Sequence, residues 1–352
     1  MRLFHLRTPP MAFGLDLSNT TAKIAQLRRT GKNFVIEALT EIPISPNLIK
    51  DGEIQNAEQF NSELNKFLQV YRKDLVEGVI ISLPEAKTFI QTIVIPKHNT
   101  AALAQQLDDA LPEYLPLPLN EMYQDSAVLA ETDKEWRVVT GAAPKNIVDN
   151  YIQLLESSHL IPVALDIQAM AIARALIPDK ETRRRTRAII DLGRHRASLI
   201  IHDQKAVQFT MSLPIAGERI TENIAQELNL TLEQAEKAKI TCGLDPMRCE
   251  GVLRNILEQM VEDLVKRVAE AREYYQDHFI DAHDFEEVLL TGGGAYLLCL
   301  DQVLSEVLKI PVKLGNPWEN IRLSSAPQLT APLRFTNVLG LALRGAEGEM
   351  VV

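Results

Sequence analysis

Three apolar runs near the start of the chain, 13–17, 22–28 and 34–42, are separated by only a few polar residues, the spacing of strands joined by tight turns. Behind them Ala57, Phe60, Leu64, Phe67, Leu68 and Tyr71 recur at helical intervals and predict an amphipathic helix. The continuous apolar run 78–83, closed by Pro84, predicts a buried strand. From residue 188 the order returns: strands over 188–191, 197–202 and 207–213, then helices over 220–228 and 232–240. In both copies an aspartate, Asp16 or Asp191, ends the first strand. A repeated strand-strand-strand-helix unit predicts two related lobes that share a cleft.

Between the copies the texture changes. The segment 96–165 predicts a helix over 101–114, a turn punctuated by Pro112, Pro116 and Pro118, and two strands, one over 138–143. A helix carrying Ile147, Val148, Tyr151, Leu154 and Leu155 follows, completing a small α/β module inserted into the first lobe. The second lobe carries the longest predicted helix, 252–279. Its stripe of Leu253, Ile256, Leu257, Met260, Leu264, Val268, Ala271 and Tyr275 is assigned to the core. A strand over 288–290 runs into 291–294, and helices over 297–308 and 335–344 end the pattern. In the last of these, Gly340 and Ala342 are small enough for close backbone approach. The expected division is 1–95 first lobe, 96–165 insert, 166–330 second lobe and 331–352 a helix returning to the first lobe.

The candidate chemistry sits in the turns. One turn holds Asp16, Ser18, Asn19, Thr20, Thr21 and Lys23; its counterpart holds Asp191 and Gly193. Small and hydroxyl residues there leave backbone N–H groups aimed at an anion lying over the turn. Two facing turns would clamp one polyphosphate, and Asp16 and Asp191 would hold a hydrated Mg²⁺ through its waters. Downstream, Gly292, Gly293 and Gly294 offer a surface against which a nucleotide can lie. The basic run 183–187 is read as an exposed loop, and His195 and His202 as residues with no carboxylate or cysteine partner.

Charge narrows the partners. With 352 residues and a net charge of −10, the chain lacks the clustered Lys and Arg of a nucleic-acid binder or a lipid-surface binder. No apolar run reaches membrane-span length, residues 1–10 lack the core of a signal peptide, and 345–352 are too short and acidic for an amphipathic anchor. Cys242, Cys249 and Cys299 form no framework and fit a reducing cytoplasm.

The order of these motifs resembles the actin-like ATPase superfamily, which includes actin, sugar kinases, heat-shock chaperones and bacterial FtsA. Its two phosphate turns, two connecting helices and adenosine motif would be filled by 16–23 and 191–198, 166–175 and 335–344, and 291–295. More narrowly the chain is similar to the PilM family, the FtsA-like component of type IV pilus and competence machinery. That likeness rests on 166–175, 217–225, 234–239, 272–275, 315–318 and 340–345. It implies an α/β fold with ATP and Mg²⁺ in a cleft between two lobes. Ser18, Asn19, Thr20, Thr21, Lys23, Gly193 and Gly217 would lie around the phosphates, and Glu236 or Lys239 would reach ribose or base. Asp166 or Gln168 would position a hydrolytic water. The implied partners are the N-terminal tail of a PilN-like single-pass membrane protein and other platform proteins, with a homo-oligomer left open. Location would be cytoplasmic, peripheral to the inner membrane through that partner.

Runs 78–83 and 88–95 are expected to line a groove for that tail. Ser18 where Gly is common, Arg194-His195-Arg196 where small residues are usual, and Ala216-Gly217 instead of Gly-Gly depart from the pattern. The expectation is therefore nucleotide binding with slow or no hydrolysis. The alternatives are an FtsA-like filament former, which would carry a C-terminal amphipathic helix, and a sugar kinase, which would need a larger insert.

Overall fold

The structure, a computed structural model, describes residues 11–97, 103–179, 184–279, 282–323 and 327–347. Strands β1 (Phe13–Leu17), β2 (Thr21–Thr30) and β3 (Asn33–Pro43) form an antiparallel meander. A small hairpin, β4 (Ile49–Lys50) and β5 (Glu53–Ile54), leads into helix α1 (Ala57–Tyr71), whose first turn is capped by the Asn56 side chain accepting from Gln59 N at 3.0 Å. Strand β6 (Gly78–Leu83) follows, then β7 (Phe89–Pro96) and α2 (Leu103–Ala110). The middle of the chain supplies β8 (Met122–Glu131), β9 (Glu135–Pro144), α3 (Lys145–Ser157), β10 (Ile161–Ile167) and α4 (Gln168–Leu176).

The second half repeats the meander with β11 (Arg187–Leu192), β12 (Ala197–Asp203) and β13 (Ala206–Leu213), followed by α5 (Gly217–Leu228), α6 (Leu232–Cys242) and α7 (Val252–His278). Strand β14 (Glu287–Thr291), α8 (Leu300–Leu308), β15 (Val312–Leu314) and α9 (Thr336–Glu347) complete the order.

Two sheets carry the architecture. One runs β10-β6-β1-β2-β3, and the larger runs β15-β14-β11-β12-β13-β7-β9-β8. In each, a three-strand meander begins with the strand bearing the aspartate, and two parallel strands flank that strand's other edge. The fold is thus the two-lobed α/β arrangement of the actin-like ATPases. Helices cross over between the lobes. α4 leaves the first sheet and buries Ala169, Ile172, Ala173 and Leu176 against Ile189 and Ile200 of the second, whereas α9 returns to pack Val338, Leu339 and Leu343 on Ala25 and Leu27. The cleft lies beside this joint.

Several local expectations change in three dimensions. The helix expected over 101–114 is helical from Leu103 to Ala110 and then tightens into a single 3₁₀ turn at Leu111–Glu113; its first two residues lie outside the described set. The segment 96–165 is shared between sheets. β8 and β9 join the larger one through β7, α3 buries Ile147, Tyr151 and Leu155 in the first lobe's core, and β10 pairs with β6. Strand β6 is fully buried between β10 and β1, so the run 78–83 has no free edge for a docking peptide. The basic run 183–187 is not an exposed loop where it is described. Arg187 is buried in β11 and paired with Glu287, and Arg184 pairs with the buried Asp203. A buried carboxylate persists in the ionised state only with such a partner. Cys242 and Cys249, expected to be independent, are joined as a disulfide between the end of α6 and the turn before α7, leaving Cys299 free.

Candidate functional site

A cleft of about 250 Å³ opens where the two meander turns face each other. From the first lobe it is lined by Asp16, Ser18, Asn19, Thr20, Thr21 and Lys23. The second lobe contributes Asp191, Gly193, Gly292 and Gly293, while Gln168 and Asn337 come from the crossing helices. The first turn is tied internally: Ser18 N donates to Thr21 O at 2.9 Å, and Ser18 Oγ accepts from Thr21 N at 3.0 Å. Antiparallel register sets Lys23 opposite Asp16, and its Nζ reaches Asp16 Oδ2 at 3.2 Å. Asn337, at the start of α9, donates to Asp16 Oδ1 at 2.8 Å and to Ser82 Oγ at 2.8 Å.

Across the cleft Gln168 Nε2 donates to Asp191 Oδ2 at 2.9 Å. Glycine is required beside it. Gly292 has φ +82°, and a Cβ there would stand 2.5 Å from Asp191 Oδ1 and 2.6 Å from Leu192 O. Gly193 is equally tight, since a Cβ would stand 2.6 Å from Arg196 O in its own turn. Gly293, by contrast, is not crowded: a Cβ there would make ordinary van der Waals contact with Arg334 Cγ at 3.7 Å. Loss of hydration, reinforced by the charge of Asp16, pushes the Asp191 carboxyl up to about 6 against the opposing pull of Lys23 and Gln168. Glu85, also on the cleft wall, is pushed up to about 7 by burial and then by Asp191, with Arg196 opposing. Asp191 and Glu85 thus resist ionisation, a cost that a nearby cation would relieve, while Lys23, Arg194, Arg196 and Arg334 on the same cleft supply positive charge for an anion.

The remaining predicted residues fall in two other places. Gly217, Glu236 and Lys239 form a cluster behind the second turn. Gly217 N donates to Gly193 O at 3.1 Å, and Lys239 Nζ reaches Gly217 O at 2.9 Å, Thr221 Oγ1 at 2.7 Å and Glu236 Oε2 at 2.7 Å. Burial opposes ionisation of Glu236, but its bonds to Lys239 and Thr221 prevail and hold it below the ordinary carboxylate range. Gly294 packs against Leu192 rather than lining the cleft.

Asp166 does not line the cleft either. It is buried at the end of β10, 2.8 Å from Arg174 Nη1 and 3.3 Å from Arg344 Nη1. Burial works against its charge, yet the two guanidiniums outweigh it and lower its pKa. Asp166, expected to position a hydrolytic water, thus sits in this structure at the joint between α4 and α9, bound to two arginines and away from the cleft. Asp166→Ala should cost about 3–5 kcal/mol, because two largely shielded guanidiniums lose their buried counter-charge. Nucleotide affinity of the folded fraction should stay unchanged; denaturant titration and calorimetry on the same sample check both. A stable variant with lost affinity would return Asp166 to the site.

Sequence reasoning missed Asn337, Glu85 and the surroundings of His195. The Asn337 contact joins residues 321 apart in the chain, and no local pattern marks it. His195, expected to lack a carboxylate, has Glu218 Oε2 2.7 Å from Nδ1. His202 is buried on β12. Among the described residues no group of three or more His, Cys, Asp or Glu comes together as a direct metal cluster. Among the same residues no helix is long and apolar enough to cross a membrane.

A family model described as "Type IV pilus assembly protein PilM" matches residues 14–346. The chain belongs to this family. A solved "PilM-PilN type IV pilus biogenesis complex" superimposes with a TM-score of 0.77 at 24% identity, covering 96% of this chain and 98% of that one. MreB5 of Spiroplasma citri bound to ADP gives 0.55 at 13% identity, covering 96% and 97%. Among curated relatives, cell division protein FtsA of Enterococcus faecalis is 29% identical over 203 residues, covering 51% of this chain and 44% of FtsA. FtsA of Neisseria meningitidis is 23% identical over 228 residues, covering 59% and 54%. The chain spans about half the length of the curated relatives it matches. The PilM resemblance and the actin-like fold expected from the motif order thus stand on independent comparisons.

Proposed function

We propose that this PilM-family chain holds Mg²⁺-ATP in the cleft between its lobes and acts as an adaptor of a type IV pilus platform. It would dock the N-terminal tail of a PilN-like single-pass membrane protein. The observation that carries the nucleotide half is the opposition of the two aspartate-bearing turns over one cavity, with Gly292 and Gly293 on its side. The residues present fit such a ligand. Asn337 Oδ1 is buried on the cleft wall without a hydrogen-bond partner, an acceptor suited to a metal-bound water or a nucleotide hydroxyl. The Mg²⁺ ion would neutralise phosphate charge; Asp16 and Asp191 would hold it through water.

ADP and AMPPNP are named for the MreB5 structures, and PilN for the PilM complex, which supports both halves of the reading. Fast turnover is not part of it, because Asp166 is withdrawn and Gln168 is bonded to Asp191. In this reading the chain is cytoplasmic and reaches the inner membrane through its partner. Calorimetry of the wild-type chain should give saturable binding of Mg²⁺-ATP, and a peptide copying the PilN tail should bind with or without nucleotide. Absence of heat at millimolar nucleotide would remove the nucleotide half; failure of the peptide alone would remove the docking half.

A further inference from the structure

Three consecutive basic residues, Arg194, His195 and Arg196, occupy the second turn, and the structure separates their roles. The Arg194 side chain is 68% exposed, its guanidinium 3.9 Å from Glu218. Arg196, also on the cleft wall, is committed to Asp51 of the β4–β5 hairpin across the gap at 2.7 Å. His195 turns inward. Its Nδ1 lies 2.7 Å from Glu218 Oε2, and its Nε2 lies 3.4 Å from Thr20 Oγ1 in the opposite lobe.

Glu218 is itself held to this turn, since its backbone N–H donates to Arg194 O at 2.8 Å while Gly217 N donates to Gly193 O at 3.1 Å. A carboxylate fixed at Nδ1 places a proton there and sets the ring plane, so the outer nitrogen aims across the gap between the turns. The contact to Thr20 Oγ1, a hydroxyl that can donate or accept, is long for a hydrogen bond and is easily exchanged for a better partner. Both His195 and Thr20 line the same cleft as Asp16 and Asp191.

We propose that His195, oriented by Glu218, is a specificity-determining residue that reads the outermost phosphate of the bound nucleotide and draws the two lobes together on a triphosphate. The proposal rests on the nucleotide reading above. An anionic oxygen entering between the turns would replace Thr20 as the partner of Nε2. Held between the Glu218 carboxylate and the phosphate, the ring carries a proton on each nitrogen and donates to both anions. The Nε2–H bond is then charge-assisted, shorter and stronger than the contact it displaces. A diphosphate, lacking that outer group, would leave the His195–Thr20 gap unfilled. Glu218 acts through His195 and is a positioning residue.

The test compares Mg²⁺-ATP and Mg²⁺-ADP affinities of wild type, His195→Ala, His195→Gln and Glu218→Gln by calorimetry, with thermal melts to confirm folding. Wild type is expected to prefer ATP. His195→Ala should cut that preference at least tenfold while ADP affinity changes less than twofold. His195→Gln, which keeps a donor, should restore part of it, and Glu218→Gln should lose several-fold. An unchanged ATP-to-ADP ratio in His195→Ala, or equal losses for both nucleotides, would overturn the assignment, because a structural role weakens both alike. A wild-type chain that binds neither nucleotide would overturn the nucleotide reading and this assignment with it. Binding by wild type with an unaltered variant ratio defeats this assignment alone.

Discussion

Gly340→Val is expected to leave little or no soluble folded protein. Gly340 lies inside α9, where a Cβ would stand 1.8 Å from Ala171 O and 2.5 Å from Ala171 C in α4. These are backbone atoms of a packed helix, so no side-chain rotation can relieve the clash. The two helices would have to separate. Their separation would break the apolar contact among Ala12, Ile80, Ala171 and Leu341, and the bond from Arg174 Nη1 to Gly340 O at 3.1 Å. Overpacking that side chains can absorb costs about 1–3 kcal/mol; displacement of backbone at a joint between lobes should exceed about 4 kcal/mol. That is a large share of the ~5–15 kcal/mol that holds a domain folded. Soluble yield and a denaturant midpoint measure it, and a variant unfolding at the wild-type midpoint would show that the helices do not meet this closely. Gly345, where a Cβ would stand 1.9 Å from Ala12 O, should behave in the same way.

Asp191→Asn should strengthen the empty protein and abolish its ligand binding, two effects of opposite sign. The folded-state pKa of about 6 lies above the ordinary 3.8, so folding holds the proton more tightly than the unfolded chain does. The sign follows directly: the penalty is absent below pH ~4, grows as pH rises through the interval to ~6, and is constant above it. At pH 7 the neutral amide escapes that penalty, a gain of at most about 3 kcal/mol at ~1.4 kcal/mol per pK unit. The same substitution removes half of the carboxylate pair offered to a hydrated Mg²⁺. Mg²⁺-nucleotide affinity should fall about a hundredfold or more, ~2.7 kcal/mol. In wild type, affinity should also fall about tenfold per unit below pH ~6, as a proton competes with the cation. Thermal melts at pH 5 and 7 and calorimetry across that range separate the effects. A destabilised Asp191→Asn variant with unchanged affinity would mean that Asp191 is structural.

Residues with local reasons for their conformation were legible in the chain itself. Short apolar runs marked both meanders, and the polar turns after Asp16 and Asp191 marked where they reverse. Gly193 sits where a side chain would strike Arg196 O three residues on, a local reason for glycine, whereas Gly292 owes only its positive φ to its own turn and its crowding to Asp191 and Leu192 on a strand distant in sequence. The stripe from Leu253 to Tyr275 likewise ended in the core, with Leu257, Leu264 and Val268 buried, because helical periodicity depends only on neighbours in sequence.

Pairing between distant elements decided the rest. Asp166 and Asp191 both lie at or near the ends of apolar strands. Nothing in their flanking residues says that one meets Arg174 and Arg344 inside the joint while the other faces the cleft with Gln168. Arg187 appeared in a basic run, and burial followed only from its pairing with Glu287, 100 residues away. The run 78–83 has the composition of any buried strand, but whether such a strand is central or at an edge is set by which neighbours claim its two rows of N–H and C=O groups. His195 is the clearest instance. Its turn was visible in the sequence, whereas its contacts to Glu218 and Thr20 exist only because α5 packs behind that turn and the other lobe closes in front of it. Local chemistry determined the turns and the periodic elements. Long-range packing, which fixes burial and partner charges, decided what each turn residue faces.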